Sequence, residues 1–241
     1  YKIAVAYAAL EEGVVNPETT IYCPGHFKLG RGRYRCWKKR GHGAVNLHDA
    51  LVQSCDVYFY TVGHRMGIDT LASYAKKLGF GMPTGLGLSR EKSGLVPSTK
   101  WKLKNRKEAW LLGETISASI GQGYNLVTPL QQANMMAAVA NGGMLLKPYL
   151  VKRIEEPGGK IIKEFFPKIK GRITGNPENM EIIRNALRDV VNGTRGTGKK
   201  SRLKDVVVSG KTGTVQVVRM KSNEELEKGE EIPYKYRDHA W

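Results

Sequence analysis

Ser209-Gly210-Lys211-Thr212-Gly213-Thr214 follows the β-branched run Val206-Val207-Val208 and leads into Val215, Val217 and Val218. The pattern predicts a strand with a basic, glycine-containing centre. Gly213 carries no side chain, so the backbone of another molecule can lie against the strand there. Lys211 offers a fixed cation, and Thr212 and Thr214 offer hydroxyls. An ordinary strand with one exposed lysine explains the triplet just as well. Its meaning therefore depends on the rest of the chain.

The chain has 241 residues, 41% of them hydrophobic and 25% charged, which is ordinary for a globular protein with a sizeable core. No apolar run approaches the roughly 18 residues of a membrane span. The net charge of +17 favours anionic partners: nucleic acid, anionic lipid or pyrophosphate-bearing substrates. The basic residues are dispersed, with local clusters at 31–40, 100–107 and 195–204. Each cluster reads as a solvated surface, and no aromatic-interleaved RNA-binding motif accompanies them. Both ends read as cut, since the chain opens in mid-helix and stops at Trp241 as an apolar stretch begins.

Lys2 to Glu12 reads as a helix stopped by Gly13. It is apolar on nearly every face (Ile3, Ala4, Val5, Ala6, Ala8, Ala9, Leu10), as a buried central helix is. Residues 14–45 read as a loop. Cys23 and Cys36 lie in it and Cys55 lies beyond, with His42 between, in the spacing C-x12-C-x5-H-x12-C. Three thiolates and an imidazole are the ligand set of a closed structural zinc site. A Cys23–Cys36 disulfide with Cys55 free, or three unconnected cysteines, fits the spacing too. His26 and His48 are spare ligand candidates that also read as surface histidines.

Asn46 is placed to cap a helix through Leu47, Ala50, Leu51 and Val52. Ser54-Cys55-Asp56 follows, and an apolar helix then runs from Val57 to Gly67. Asp56 reads equally as the cap of that second helix. Asp69 begins a further helix that ends at Gly79, and 81–97 is a glycine- and proline-punctuated loop. Residues 100–107 read as basic and exposed. Thr128-Pro129 starts a helix to Asn141, with Met135 and Met136 as core filler. A hairpin is predicted around Glu155-Glu156-Pro157-Gly158-Gly159, then a helix from Asn176-Pro177 to Gly193. Residues 194–204 form a basic glycine-rich loop, and 221–235 a charged insertion projecting from a hairpin. Helices first and strands around Lys211 last predict an α+β fold, with a helical lobe beside an antiparallel sheet.

Lys2, Ser54-Cys55-Asp56 and Lys211-Thr212-Gly213 match, in order, the S-x-x-K, S-x-N and K-T-G set of penicillin-recognising serine enzymes. The second element departs from the pattern as Ser-x-Asp. The first is half present, because its serine would fall three residues before Lys2. Ser73, Ser89 and Ser201 also begin S-x-x-K matches, but none precedes Ser54 and none starts an all-round apolar helix; Ser73 is the fallback. With Ala118-Ser119-Ile120-Gly121-Gln122-Gly123, Thr128-Pro129-Leu130-Gln131, Ala140-Asn141-Gly142-Gly143 and Arg237-Asp238-His239-Ala240-Trp241, the whole chain resembles the transpeptidase domain of class B penicillin-binding proteins. Its Ser-x-Asp variant resembles the penicillin-binding protein 2 branch.

The resemblance implies the penicillin-recognising transpeptidase fold, present here as a partial domain over 1–241. That domain would begin just after the serine and lack its last strands and C-terminal helix, with a zinc-loop insertion at 14–45. It implies a peptidoglycan D,D-transpeptidase acting through an acyl-serine, with D-Ala-D-Ala stem peptides and β-lactams as ligands. Lys2 would activate the serine, Ser54 would relay a proton, and Asp56 would orient both. Lys211, Thr212 and Gly213 would hold the substrate carboxylate, and the Thr214 N–H would form half of the oxyanion hole. It further implies structural zinc on Cys36, His42 and Cys55 with Cys23, no organic cofactor, and no nucleic-acid partner. Partnership with a glycosyltransferase and elongation-complex membrane proteins is implied, at the bacterial inner membrane and facing the periplasm or exterior.

Two rivals remain at this level. A β-lactam-sensing pseudo-enzyme would share the fold but lack the upstream serine. A basic zinc module binding nucleic acid would explain the charge and the cysteines, but leaves Lys211-Thr212-Gly213, Ser54 and the buried helix without a purpose.

Overall fold

Helix α1 (Lys2–Glu11) is buried along its whole apolar stretch, Ile3 to Leu10. Its alanines let neighbours approach closely on every side, which fits a helix with no polar face. Gly13 ends it at φ 63°, a conformation glycine adopts at little cost. This computed structural model describes residues 1–215 and 239–240.

The 14–45 segment is not the structureless loop expected. It forms two antiparallel ribbons, β1 (Ile21–Cys23) with β4 (Gly43–Val45) and β2 (His26–Leu29) with β3 (Gly32–Arg35). Strands of three or four residues are too short to carry a readable alternation. The β2–β3 turn is two residues long, with Gly30 at φ 54°.

Asn46 caps α2 (Leu47–Val52) as expected, its side chain accepting from the Asp49 N–H. α3 (Asp56–Lys77) follows almost at once and is broken at Gly67 (φ 76°, ψ 165°), where the sequence placed a helix end. The alternative in which Asp56 merely caps α3 does not hold: Cys55 is the cap, and the Asp56 carboxylate turns elsewhere. Asp69 likewise spends its carboxylate at long range, accepting from the N–H and Oγ1 of Thr99 at 2.9 and 2.6 Å. Thr99 opens α4 (Thr99–Arg106).

Within α4, Lys102 corrects the expectation that 100–107 is an exposed basic run. It is buried, with its Nζ 2.6 Å from Glu114 and 3.4 Å from Glu108. The two acids supply the partners that a buried ammonium requires. Glu114 belongs to α5 (Leu112–Ala118), which packs on α3. The approach is close: a Cβ on Gly63 would fall 2.3 Å from the Cβ of Ser119, so only glycine fits.

Helix α6 (Pro129–Ala140) begins with a full capping box between Thr128 and Gln131. Beyond it lies a nested pair of ribbons: β5 (Met144–Lys147) with β8 (Lys168–Arg172), enclosing β6 (Arg153–Glu155) with β7 (Ile161–Glu164). The predicted hairpin is β6–β7. α7 (Pro177–Asn192) starts at Asn176-Pro177 as read, and it packs on α1 and α2. Its Met180, Ile183, Leu187 and Val190 line one buried face.

The strand expected from Val206 onward begins only at Thr214. β9 (Thr214–Val215) pairs antiparallel with β10 (His239–Ala240), and 206–213 precede it without ladder partners among the described residues. Val206 and Val207 are exposed. This segment is instead tied to α7 by Gly210 N–H to Leu187 O at 3.0 Å and Asn192 Nδ2 to Val208 O at 2.8 Å. Val217, Val218, the 221–235 insertion, Arg237, Asp238 and Trp241 lie outside the described residues. Among the described residues no helix is long and apolar enough to cross a membrane. Helices and small antiparallel ribbons together make an α+β architecture, as the element order predicted.

Candidate active site and metal centre

The three polar motifs, far apart in sequence, meet at one hydroxyl. Lys2 leaves the first turn of α1 and reaches Ser54 Oγ at 3.1 Å, Ser54 O at 3.0 Å and Asp56 Oδ1 at 2.6 Å. Lys211 arrives from the segment docked on α7, its Nζ 2.9 Å from the same Ser54 Oγ. Lys2 also lies 5.5 Å from the centroid of the Phe59 ring, a cation–π contact.

Ser54 holds a left-handed backbone conformation, φ 54°. For a residue with a side chain this costs on the order of 1 kcal/mol and needs support from its surroundings. Here the Ser54 carbonyl accepts from Lys2 Nζ at 3.0 Å and from Trp37 Nε1 at 3.0 Å. Trp37 also donates its main-chain N–H to Asp56 Oδ2 at 2.9 Å. Both carboxylate oxygens of Asp56 are thus engaged, one by Lys2 and one by Trp37.

Two ammonium groups facing one hydroxyl repel each other, with one carboxylate among the described residues, Asp56, to offset them. Burial foremost, then the Lys2 charge, brings Lys211 from 10.5 down to about 7, and Asp56 opposes the shift. Among the described residues the site is therefore short of one negative charge when both lysines are protonated.

Lys211 also contacts Thr212, at 3.2 Å from its carbonyl and 3.3 Å from Oγ1. Thr212 Oγ1 lies 3.0 Å from Thr197 Oγ1. Thr197 in turn holds the end of α2, its N–H and hydroxyl meeting Val52 O at 3.2 and 3.3 Å. Among the described residues nothing lies within 4 Å of where a Cβ on Gly213 would stand. Thr214 is exposed at the start of β9.

The fallback nucleophile is not at this site. Ser73 is exposed on α3, and Ser89 and Ser201 are exposed as well. None of them bonds to Lys2, Ser54, Asp56 or Lys211 among the described residues.

Beside the site lies a second cluster. One ligand atom each from Cys23, Cys36, His42 and Cys55 falls within 4.8 Å of all the others. His42 Nδ1 is 3.6 Å from Cys23 Sγ and 3.5 Å from Cys36 Sγ. A tetrahedral ion with about 2.3 Å to sulfur and about 2.0–2.1 Å to nitrogen sets sulfur–nitrogen edges of about 3.5–3.6 Å, so the donor set fits zinc. The cysteines are buried and unbridged, so the disulfide alternative is not what the fold contains. His26 and His48 stand apart from the cluster: His26 faces Arg33, and His48 pairs with Asp189 across α2 and α7.

The three cysteines are linked in their protonation. Cys36 is drawn down to about 5, foremost by the hydrogen bond from Cys55, with the N–H groups of Lys38 and Asp56 assisting against burial. Cys55 is pushed up in return, by that same bond and by burial, and burial pushes Cys23 up. All three sulfurs would become thiolates only with a positive ion to offset them. Cys36 also accepts the Asp56 N–H at 3.4 Å, so the sulfur cluster touches the Ser-x-Asp turn directly.

Sequence reasoning missed Trp37 and Thr197. Trp37 was detectable only as the neighbour of Cys36, and Thr197 lay in a loop read as merely basic.

The chain belongs to the penicillin-binding protein transpeptidase family: the model of the penicillin binding protein transpeptidase domain matches residues 1–233. Among curated relatives, the peptidoglycan D,D-transpeptidase MrdA of Haemophilus influenzae is 39% identical over 245 residues, covering 98% of this chain and 37% of that protein. The chain thus spans little more than a third of such relatives. Penicillin-binding protein 2 of Pseudomonas aeruginosa, solved in complex with WCK 5153, is similar at TM-score 0.78 and 36% identity, over 90% of this chain and 49% of that one. Penicillin-binding protein 2 of Helicobacter pylori, solved in complex with MreC, is similar at TM-score 0.82 and 31% identity, over all of this chain and 41% of that one.

The depressed Lys211 pKa predicts a stability signature. Between about 7 and 10.5 the unfolded chain binds a proton on this lysine that the folded protein does not, so stability attributable to Lys211 rises with pH in that window. Relative to a Lys211→Met variant, the parent should gain stability between pH 7 and pH 10 in denaturant unfolding. Parallel pH profiles would contradict the shift.

Proposed function

We propose that the chain is part of a peptidoglycan D,D-transpeptidase, cross-linking stem peptides during cell-wall elongation through an acyl-serine that penicillins trap. The carrying observation is the convergence of Lys2 and Lys211 on Ser54 Oγ, with Asp56 paired to Lys2, at the positions the family motifs assign. The nucleophilic serine stands three residues before Lys2, one helical turn back on the same face.

Lys2 takes the proton of that serine as it attacks the penultimate D-alanine carbonyl. Ser54, bonded to both lysines, passes a proton to the departing D-alanine amine. Asp56 holds Lys2 in register. Lys211, with Thr212 and the bare edge at Gly213, receives the terminal carboxylate, the anion the site lacks. The Thr214 N–H and the serine's own N–H polarise the carbonyl. The amine of a second stem then takes the acyl group.

Zinc held by Cys23, Cys36, His42 and Cys55 would tie the 14–45 segment to the Ser-x-Asp turn, a structural role. No organic cofactor enters this scheme. The domain would face the periplasm or cell exterior from an inner-membrane protein. The MreC complex of the Helicobacter pylori relative supports elongation-complex proteins as partners; a glycosyltransferase would be a further partner.

The reading is tested on the full-length protein with a stem peptide ending in D-Ala-D-Ala. D-alanine should be released, penicillin should block the release, and Lys2→Ala should lower it by about 100-fold or more. Release that is unaffected by Lys2→Ala would contradict the assignment. For the metal, Cys36→Ser should lose the bound zinc measured by elemental mass spectrometry and cost about 2–4 kcal/mol of stability. Parent protein without stoichiometric zinc would contradict the metal assignment.

A further inference from the structure

Trp37 joins the cysteine cluster to the Ser54 group. It follows Cys36 in the chain, so the cluster sets its backbone position. Its main-chain N–H meets Asp56 Oδ2 at 2.9 Å. Its indole Nε1–H is shared between the carbonyls of Gln53 at 3.1 Å and Ser54 at 3.0 Å. Its ring stands edge-on to His42, with centroids 5.5 Å apart and planes at 66°.

These contacts reach the two features of the Ser-x-Asp turn that local structure does not secure. One is the left-handed backbone of Ser54, which the capped helix α2 before it and α3 after it do not themselves require. The other is the rotamer of Asp56, which a lone ion pair with Lys2 would leave free to swing. A tryptophan with 59% of its surface exposed contributes little to a core. Its two N–H groups are nonetheless both committed to the motif, which packing alone does not explain.

We propose that Trp37 is a positioning residue for acyl transfer. It carries the geometry of the cysteine–histidine cluster to the Ser54 hydroxyl and the Asp56 carboxylate. The inference rests on the acyl-transfer reading above. The cluster sets where the Trp37 backbone lies, and that backbone N–H orients Asp56. The indole N–H supports the strained Ser54 peptide, so that Ser54 Oγ stays within reach of both lysines. Trp37 touches no reacting atom in this scheme.

The test uses the full-length, metal-loaded protein and a fluorescent penicillin, resolving the non-covalent dissociation constant from the first-order acylation constant. Trp37→Phe keeps the ring against His42 and the main-chain N–H, and removes only the indole donor. Acylation should slow about 10-fold, with non-covalent affinity, zinc content and thermal midpoint close to the parent's. Trp37→Ala also frees the ring contact and should slow acylation about 100-fold. A merely structural tryptophan would show itself through lost zinc or a lowered midpoint, and that result overturns the proposal. So does a Phe variant acylated at the parent rate. A parent that takes no label overturns the acyl-transfer reading and the proposal together. A labelled parent beside an unaffected Phe variant overturns only the role of Trp37.

Discussion

Two ammonium groups share one hydroxyl, and the rest of the structure accommodates that fact. Lys2 and Lys211 approach Ser54 Oγ to 3.1 and 2.9 Å, with Asp56 alone among the described residues to offset them. Like charges at such separations in a partly dry site cost more than surface charges do. Burial foremost, and the Lys2 charge after it, bring the Lys211 pKa down to about 7. A bound carboxylate would relieve the repulsion. The same imbalance would favour an acid-ended ligand.

Holding that arrangement takes three separate parts of the fold. α1 is buried on all sides, so Lys2 has no freedom to slide or rotate away. The α2–α3 junction presents Ser54 and Asp56 in a conformation that neither helix imposes. The 208–212 segment is lashed to α7 and to Thr197, which delivers Lys211 from the far end of the chain. The cysteine–histidine cluster sits where these parts would otherwise be weakest, since its Cys36 sulfur accepts the Asp56 N–H and Trp37 extends from it. Metal ligation there would convert a small, glycine-rich pair of ribbons into a fixed wall of the site.

The sequence revealed most where local chemistry decides structure. α1 was legible from its all-round apolarity, α2 from the Asn46 cap, α6 from Thr128-Pro129 and α7 from Asn176-Pro177. The site residues were legible as a set only through the order of three motifs. The structure brings Lys2, Ser54, Asp56 and Lys211 together, and separately Cys23, Cys36, His42 and Cys55. What escaped was decided at long range. Asp56 and Asp69 look like helix caps, but their carboxylates serve partners 19 to 54 and 30 residues away. Lys102 reads as surface charge and is buried because two glutamates close over it. Val206 to Val208 have strand composition, yet a strand needs a neighbour, and the described ladder begins only at Thr214. Trp37 has no motif at all; its role follows from which carbonyls and which carboxylate it meets.

The most direct test of this account is the intact mass of the full-length protein before and after exposure to benzylpenicillin, followed by peptide mapping. The account predicts one stable adduct, on the serine three residues before Lys2, within covalent reach of the Lys2–Ser54–Lys211 group. No adduct on folded, zinc-loaded protein, or an adduct placed on Ser54, Ser73 or another side chain, would contradict it.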